Sequence, residues 1–256
     1  MDDMNLEGII SRRSFLRGFG IFAFSALGLL SEFGDVSELE AKTRKIKKPN
    51  SEIRRIVPPY AINRKYELSP DATPSRKKTY YIILHNTEGM ALGAIDEWIE
   101  KRKTHFVLDL DGTVYPIVNV NGIANHAGKS MWDGRITNRS INYCSIGIEC
   151  VGYNDGKLTD KQYKSLKPLL HHLMSRFKVN DSGVLGHYQV SYNRMTDKSG
   201  TIFKQRGRKE DGINIEWKRL GIRHRTYDKD VAAGRIRANG ALNELYSQVQ
   251  KLIRQR

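Results

Sequence analysis

The chain has 256 residues, 39% of them hydrophobic, which suits one substantial domain with extensions and a buried core. Its formal net charge is +15, unevenly placed: residues 1–78 carry 15 Lys and Arg against 10 Asp and Glu, residues 79–197 carry 13 against 12, and residues 198–256 carry 15 against 6. A nearly neutral centre argues against a nucleic-acid-binding domain, whose basic stripe lies on its own folded face, while basic flanks suit an anionic membrane surface or an acidic cell-wall polymer.

Residues 11–18 read SRRSFLRG and lead into an apolar run, GFGIFAFSALGLL, at 18–30. A charged segment before a short apolar one is the pattern of an export signal. The run is shorter than the ~20 residues of a comfortable membrane span. Arg12 and Arg13 ahead of Phe15 and Leu16 make the segment resemble a twin-arginine (Tat) signal, which implies export to the periplasm or cell envelope. The best cleavage site is Leu39-Glu-Ala41, and an uncleaved leader would serve as an anchor. Residues 1–41 are therefore read as signal or anchor, and residues 42–78, rich in Lys, Arg and Pro, as an extended linker or arm.

From residue 79 the pattern becomes that of a folded domain. TYYIIL (79–84) predicts a buried strand ending at His85. Residues 91–102 place Ile95, Trp98 and Ile99 on one helical face. HFVLDLDGTVYPIV (105–118) predicts two strands around Asp111-Gly112. CSIGIECVG (144–152) predicts a further strand, with Gly147 at a close packing approach and Ile146 and Ile148 on the face opposite Glu149. Cys144 and Cys150 are too far apart along that strand for a disulfide. Thr159 and Gln162 form a capping box for a helix over 158–177, which contains Pro168. The fold class expected is α/β, a central mixed β-sheet flanked by helices. The basic extension 222–256 ends in an amphipathic helix through Leu242, Leu245, Val249, Leu252 and Ile253.

Seven histidines offer candidate ligands. His171 and His172 lie among the leucines of the long helix, and His224 lies in the basic tail. His85, His105, His126 and His187 fall at element ends, where scaffolds place sites. A hydrolytic zinc needs three protein ligands and an open position. His85, His187 and Asp197 satisfy that count, although spacing alone does not single them out.

The strings ILHNTEG, THFVLDLDGTVYPIV, ANHAGKS, SIGIECVG, LTDKQYKSL and GHYQVSYNRMTD follow one another in the order found in zinc-dependent N-acetylmuramoyl-L-alanine amidases of the amidase-2 type. Phage lysozyme-type amidases and animal peptidoglycan-recognition proteins belong to the same superfamily. The resemblance covers residues 79–221. It implies a Zn2+ cofactor, peptidoglycan or muropeptides as partner, and hydrolysis of the amide between N-acetylmuramic acid and L-alanine by zinc-activated water. It implies His85, His187 and Asp197 as metal ligands, the last at the family's ten-residue step from the second histidine. It also implies Glu149 as catalytic acid/base, and His126 as a residue that contacts substrate or the developing oxyanion. Asn86, His126 and Arg194 are the expected substrate contacts. Relatives with an aspartate ligand usually carry a lysine two residues before it; Met195 stands there, so the expectation is that Arg194 or Lys198 supplies the charge or that His126 does the work alone. That departure leaves a second reading, a non-catalytic peptidoglycan-binding module of the same fold.

Overall fold

In the computed structural model, residues 61–89, 95–134, 140–223 and 228–255 are described, and all of them belong to one unit, Lys48–Arg256. The twin-arginine leader, most of the arm, and His224 lie outside the described residues.

The β-branched and aromatic run at Tyr81–Asn86 forms β1, and the Ile-Gly-Ile segment at Ser145–Cys150 forms β4. The two pair in parallel, with β5 (Val184–Gly186) on the other side of β1. Next to β4 runs β2 (Phe106–Leu108), also parallel, and β3 (Val114–Pro116) closes the edge as its antiparallel hairpin partner. The sheet order is β3-β2-β4-β1-β5, a mixed sheet as expected. The near-continuous apolar runs of the central strands reflect burial on both faces.

One face carries the long helix α2 (Asp160–Phe177), which starts at the Thr159/Gln162 capping box and continues through Pro168. Leu166, Leu169, Leu170 and Leu173 lock onto Ile82, Leu84, Phe106, Leu108, Ile146 and Ile148 in the largest core cluster. Burying each of those leucines contributes about 2 kcal/mol. The opposite face packs Tyr81 and Ile83 against Ala127, Trp132 and Ile141, and carries α1 (Ile95–Glu100) through Ile95 and Trp98 over Val107. Side chains alternate along a strand, so His85 follows Tyr81 and Ile83 to this second face, while Ile82 and Leu84 face α2.

One expectation changes. The described part of the arm is not free of the domain: Asn63 N–H donates to the Val114 carbonyl and Val114 N–H to that of Ala61, and Arg76 is buried against the carbonyls of Val120 and Gly122. The C-terminal extension is also part of the fold. Its helix α6, Gly240–Gln255, buries Leu242, Val249 and Ile253 against Tyr188 and Ile213. The cysteines are free and buried. No helix among the described residues is long and apolar enough to cross a membrane.

Candidate active site

The site forms where the parallel strands β1 and β4 end. Their register places His85 directly opposite Glu149, so the two side chains emerge on the same face, with His85 Nδ1 3.9 Å from a Glu149 carboxylate oxygen. Beneath them Gly147 is required by contact: a Cβ there would lie 2.5 Å from the His126 ring. His187 enters from the start of the short helix α3 (His187–Val190), directly after β5. Asp211 comes from the loop beyond it and meets both rings, its carboxylate 2.8 Å from His85 Nδ1 and 2.9 Å from His187 Nδ1. His85, His187 and Asp211 form the group of potential metal ligands among the described residues, their ligand atoms all within 4.8 Å of one another.

Asp197 is not part of that group. It sits in the exposed turn between β6 (Tyr192–Thr196) and β7 (Ile202–Arg206), an antiparallel hairpin. There its carboxylate accepts from the Ser199 hydroxyl and from the Ser199 and Thr201 N–H groups, and lies 3.5 Å from Arg237. It is a turn-capping aspartate. The true partner of His187 stands 24 residues after it rather than ten, because the β6–β7 hairpin is inserted between them. A hairpin returns the chain to where it left. Gly207 N–H donates to the Ser191 carbonyl and Lys209 N–H to the Ser191 hydroxyl, so the backbone resumes beside Ser191 as though the hairpin were absent. The signal that would have found Asp211 was in the sequence. Lys209-Glu210-Asp211-Gly212 carries the lysine two residues before the aspartate that was missing at Met195.

The other expected contacts also move. Arg194 and Met195 are exposed on the hairpin. Asn86 is buried and its Oδ1 accepts from the Gly212 N–H at 2.8 Å, which fixes the loop beside Asp211, while its Nδ2 has no hydrogen-bond partner among the described residues. Gly212 has φ +84, and a Cβ there would lie 2.5 Å from the Leu84 carbonyl oxygen, so the turn after Asp211 demands glycine. His126 is buried with both ring nitrogens engaged, Nδ1 with His85 Nε2 at 3.0 Å and Nε2 with the Ser145 hydroxyl at 3.0 Å. His105 is structural: its Nδ1 accepts from the Gly147 N–H on β4.

The electrostatics follow from burial. His85 is pushed down to about 4, first by burial and then by the charge of His187. Burial and the Asp211 charge hold the Glu149 carboxyl well above its usual range, with Lys103 and Lys209 opposing. Burial alone would raise Asp211, but the charges and hydrogen bonds of His187 and His85 outweigh it and hold the carboxyl low. The ring chemistry fits a metal ion. His187 Nε2 faces the Ala127 carbonyl at 3.0 Å and must donate to it, so a neutral His187 points an Nδ1 lone pair at the Asp211 carboxylate. Two acceptors at that separation require a cation between them, a proton or a metal. Two imidazoles and one carboxylate could hold a divalent metal ion such as zinc.

Comparison with known proteins finds likenesses to N-acetylmuramoyl-L-alanine amidases. Residues 75–201 match the N-acetylmuramoyl-L-alanine amidase family model, Amidase_2. The match ends in the hairpin turn, ahead of Asp211. The chain is 35% identical over 94 residues to the 1,6-anhydro-N-acetylmuramyl-L-alanine amidase AmpD of Haemophilus influenzae, covering 36% of this chain and 50% of that one. It is 36% identical over 87 residues to the enzyme of the same name from Enterobacter cloacae, covering 34% and 45%. The chain thus spans about half the length of the curated relatives it matches. Among solved structures, an endolysin amidase, LysCS from Clostridium intestinale, aligns at 25% identity over 52% of this chain and 84% of that one, with a TM-score of 0.38.

Proposed function

We propose that this protein is a zinc-dependent N-acetylmuramoyl-L-alanine amidase that hydrolyses the bond between the lactyl group of N-acetylmuramic acid and the L-alanine of a stem peptide. The observation that carries the reading is the convergence of His85, His187 and Asp211 beside Glu149, which faces His85 in strand register. A zinc ion held by the three would supply the Lewis acid that acidifies water and polarises the amide carbonyl.

The chain's own residues do the rest. Glu149 takes the proton of the attacking water and delivers it to the departing nitrogen. Its raised pKa suits the second task. Lys209 lies where the family places its cation, and its charge acts on both His85 and Glu149, which suits it to stabilise a developing oxyanion. His126 and Ser145 hold His85 from behind: His85 Nε2–H donates to His126 Nδ1, and the Ser145 hydroxyl joins His126 to the Ile141 carbonyl. That chain keeps His85 Nδ1 unprotonated and turned towards Asp211.

The second reading, a non-catalytic wall-binding module, drew on Met195; Lys209 removes that support. The relatives' names make anhydro-muropeptides the first substrates to test. We also propose export through the twin-arginine pathway, on the strength of SRRSFLRG and the apolar run behind it. The deciding experiment incubates the purified chain with a single-stem anhydro-muropeptide, with zinc and with a chelator. Release of the stem peptide with zinc alone is expected, and no release in either condition overturns the reading.

A further inference from the structure

The hairpin that separates His187 from Asp211 builds a second feature. The segment around Arg237 adds to its edge: Arg237 N–H donates to the Lys204 carbonyl and Arg206 N–H to the Arg237 carbonyl. Between this segment and the hairpin lies a cavity of about 460 Å³ lined by Arg194, Lys204, Arg235 and Arg237, with Phe203 and Ile236 as its apolar wall. The cations are held in place from below. Arg237 lies over the Phe203 ring at 3.7 Å, and Lys204 over Tyr192 at 5.2 Å. Arg194 and Lys204 form no ion pair among the described residues. Asp230 is buried and neutralises Arg235, and Asp197 only grazes Arg237. The hairpin is rigidly rooted, since Arg206 at its base is buried between Asp228, Asp230 and the carbonyls of Met131 and Val190.

We propose that this groove is an exosite for the anionic wall polymer itself, binding stem-peptide carboxylates next to the stem being cut. The proposal rests on the amidase reading and deepens it. Guanidinium and ammonium groups around a concavity of this size match carboxylate groups carried on a chain. Each exposed pair contributes little, but a polymer that occupies groove and active site together gains through effective concentration. The hairpin that carries the groove lies between His187 and Asp211 in the chain, and its base is bonded to Ser191, so groove and site are built on one connected segment. A bilayer is the poorer fit. The groove wraps the hairpin's edge, taking Arg194, Lys204 and exposed Ile202 from one face and Phe203 from the other, and exposed Met195 lies on the face opposite Ile202, so the two apolar side chains form no single insertable patch.

The test uses the zinc-loaded full chain and the double variant Lys204→Ser/Arg237→Ser. On a soluble single-stem muropeptide kcat/KM is expected to stay within about twofold of the parent. On peptidoglycan sacculi at ~0.05 M salt it should fall about tenfold, and the gap should close near ~1 M salt, where charges are screened within ~3 Å. The charge-keeping Lys204→Arg/Arg237→Lys protein should behave as the parent, which separates charge from folding. Pelleting of each protein in a Glu149→Gln background with sacculi reads the groove without cleavage, so it still answers if the amidase reading fails on the single-stem substrate. Equal losses on both substrates, unchanged sacculus pelleting, or a loss confined to phosphatidylglycerol vesicles or duplex DNA would overturn the exosite.

Discussion

The two sides of the site are built by different means. His85 and Glu149 stand on neighbouring parallel strands whose hydrogen bonds fix their separation, and each is backed by apolar residues packed on α2. His187 and Asp211 stand on loops, 24 residues apart, with a whole hairpin between them. Their geometry is held by tertiary bonds: Asn86 to Gly212, Ser191 to Gly207 and Lys209, and the C-terminal helix. In α6, Gln250 donates to the carbonyls of both Ile213 and Ile215, and Tyr246 stacks on Tyr188, the residue after His187. The strand side is fixed by backbone register. The loop side tolerates an insertion as large as a hairpin because a hairpin's ends lie side by side.

The sharpest way to break this comparison is at the aspartates. Asp211→Ala should abolish stoichiometric zinc binding, measured by elemental analysis, and lower amidase activity at least ~10³-fold, whereas Asp197→Ala should keep both within about twofold. The opposite outcome would return the ligand to the hairpin. Glu149→Gln acts from the strand side and should lose ~10²–10⁴-fold in turnover with zinc content intact. Loss of zinc in that variant would mean that Glu149 is a ligand instead.

Smaller effects probe what holds each side. Arg206→Ala leaves Asp230 buried with Arg235 as its remaining ionic partner, and should cost about 3–5 kcal/mol in urea unfolding. A cost under ~1 kcal/mol would show that the hairpin root carries no weight. Acid should weaken the metal-free protein in a defined window. His85 and His105 have folded pKa values depressed to about 4 and about 3, both chiefly by burial, from an unfolded value near 6.5. The unfolded state therefore binds more protons between those values. Their contribution to stability is full above about 6.5 and is lost as pH falls towards 3, so Tm should drop across that range and His105→Gln should flatten the slope. The smallest effect is Gln250→Ala, which frees two carbonyls beneath Asp211. It should cost about 1–2 kcal/mol and weaken zinc binding severalfold, while a variant at exposed Lys251 should do neither.

Much of this was legible in the residues. The capping box at Thr159, the β2–β3 hairpin around Asp111-Gly112, and the Gly147 contact are local and appear as read. His85, His187 and Glu149 were legible because each is tied to a strand end or to an ordered motif. Asn86 and His126 were legible as residues of the site, and the bonds they make to Gly212, His85 and Ser145 were not, because these depend on which atoms fold back on them. The sequence by itself determined the strands and the long helix, which follow from periodicity, and pointed to three of the four residues at the centre through the ordered motifs that resemble amidase-2 enzymes. The fourth had a signal in Lys209 and a rival at the ten-residue step, and the tertiary structure decided between them. Asp197 and Asp211 both follow His187, and only the closing of the hairpin at Ser191 and Gly207 brings the second to the histidines and carries the first away. A count of residues measures distance along the chain, and a hairpin adds residues without adding distance in space.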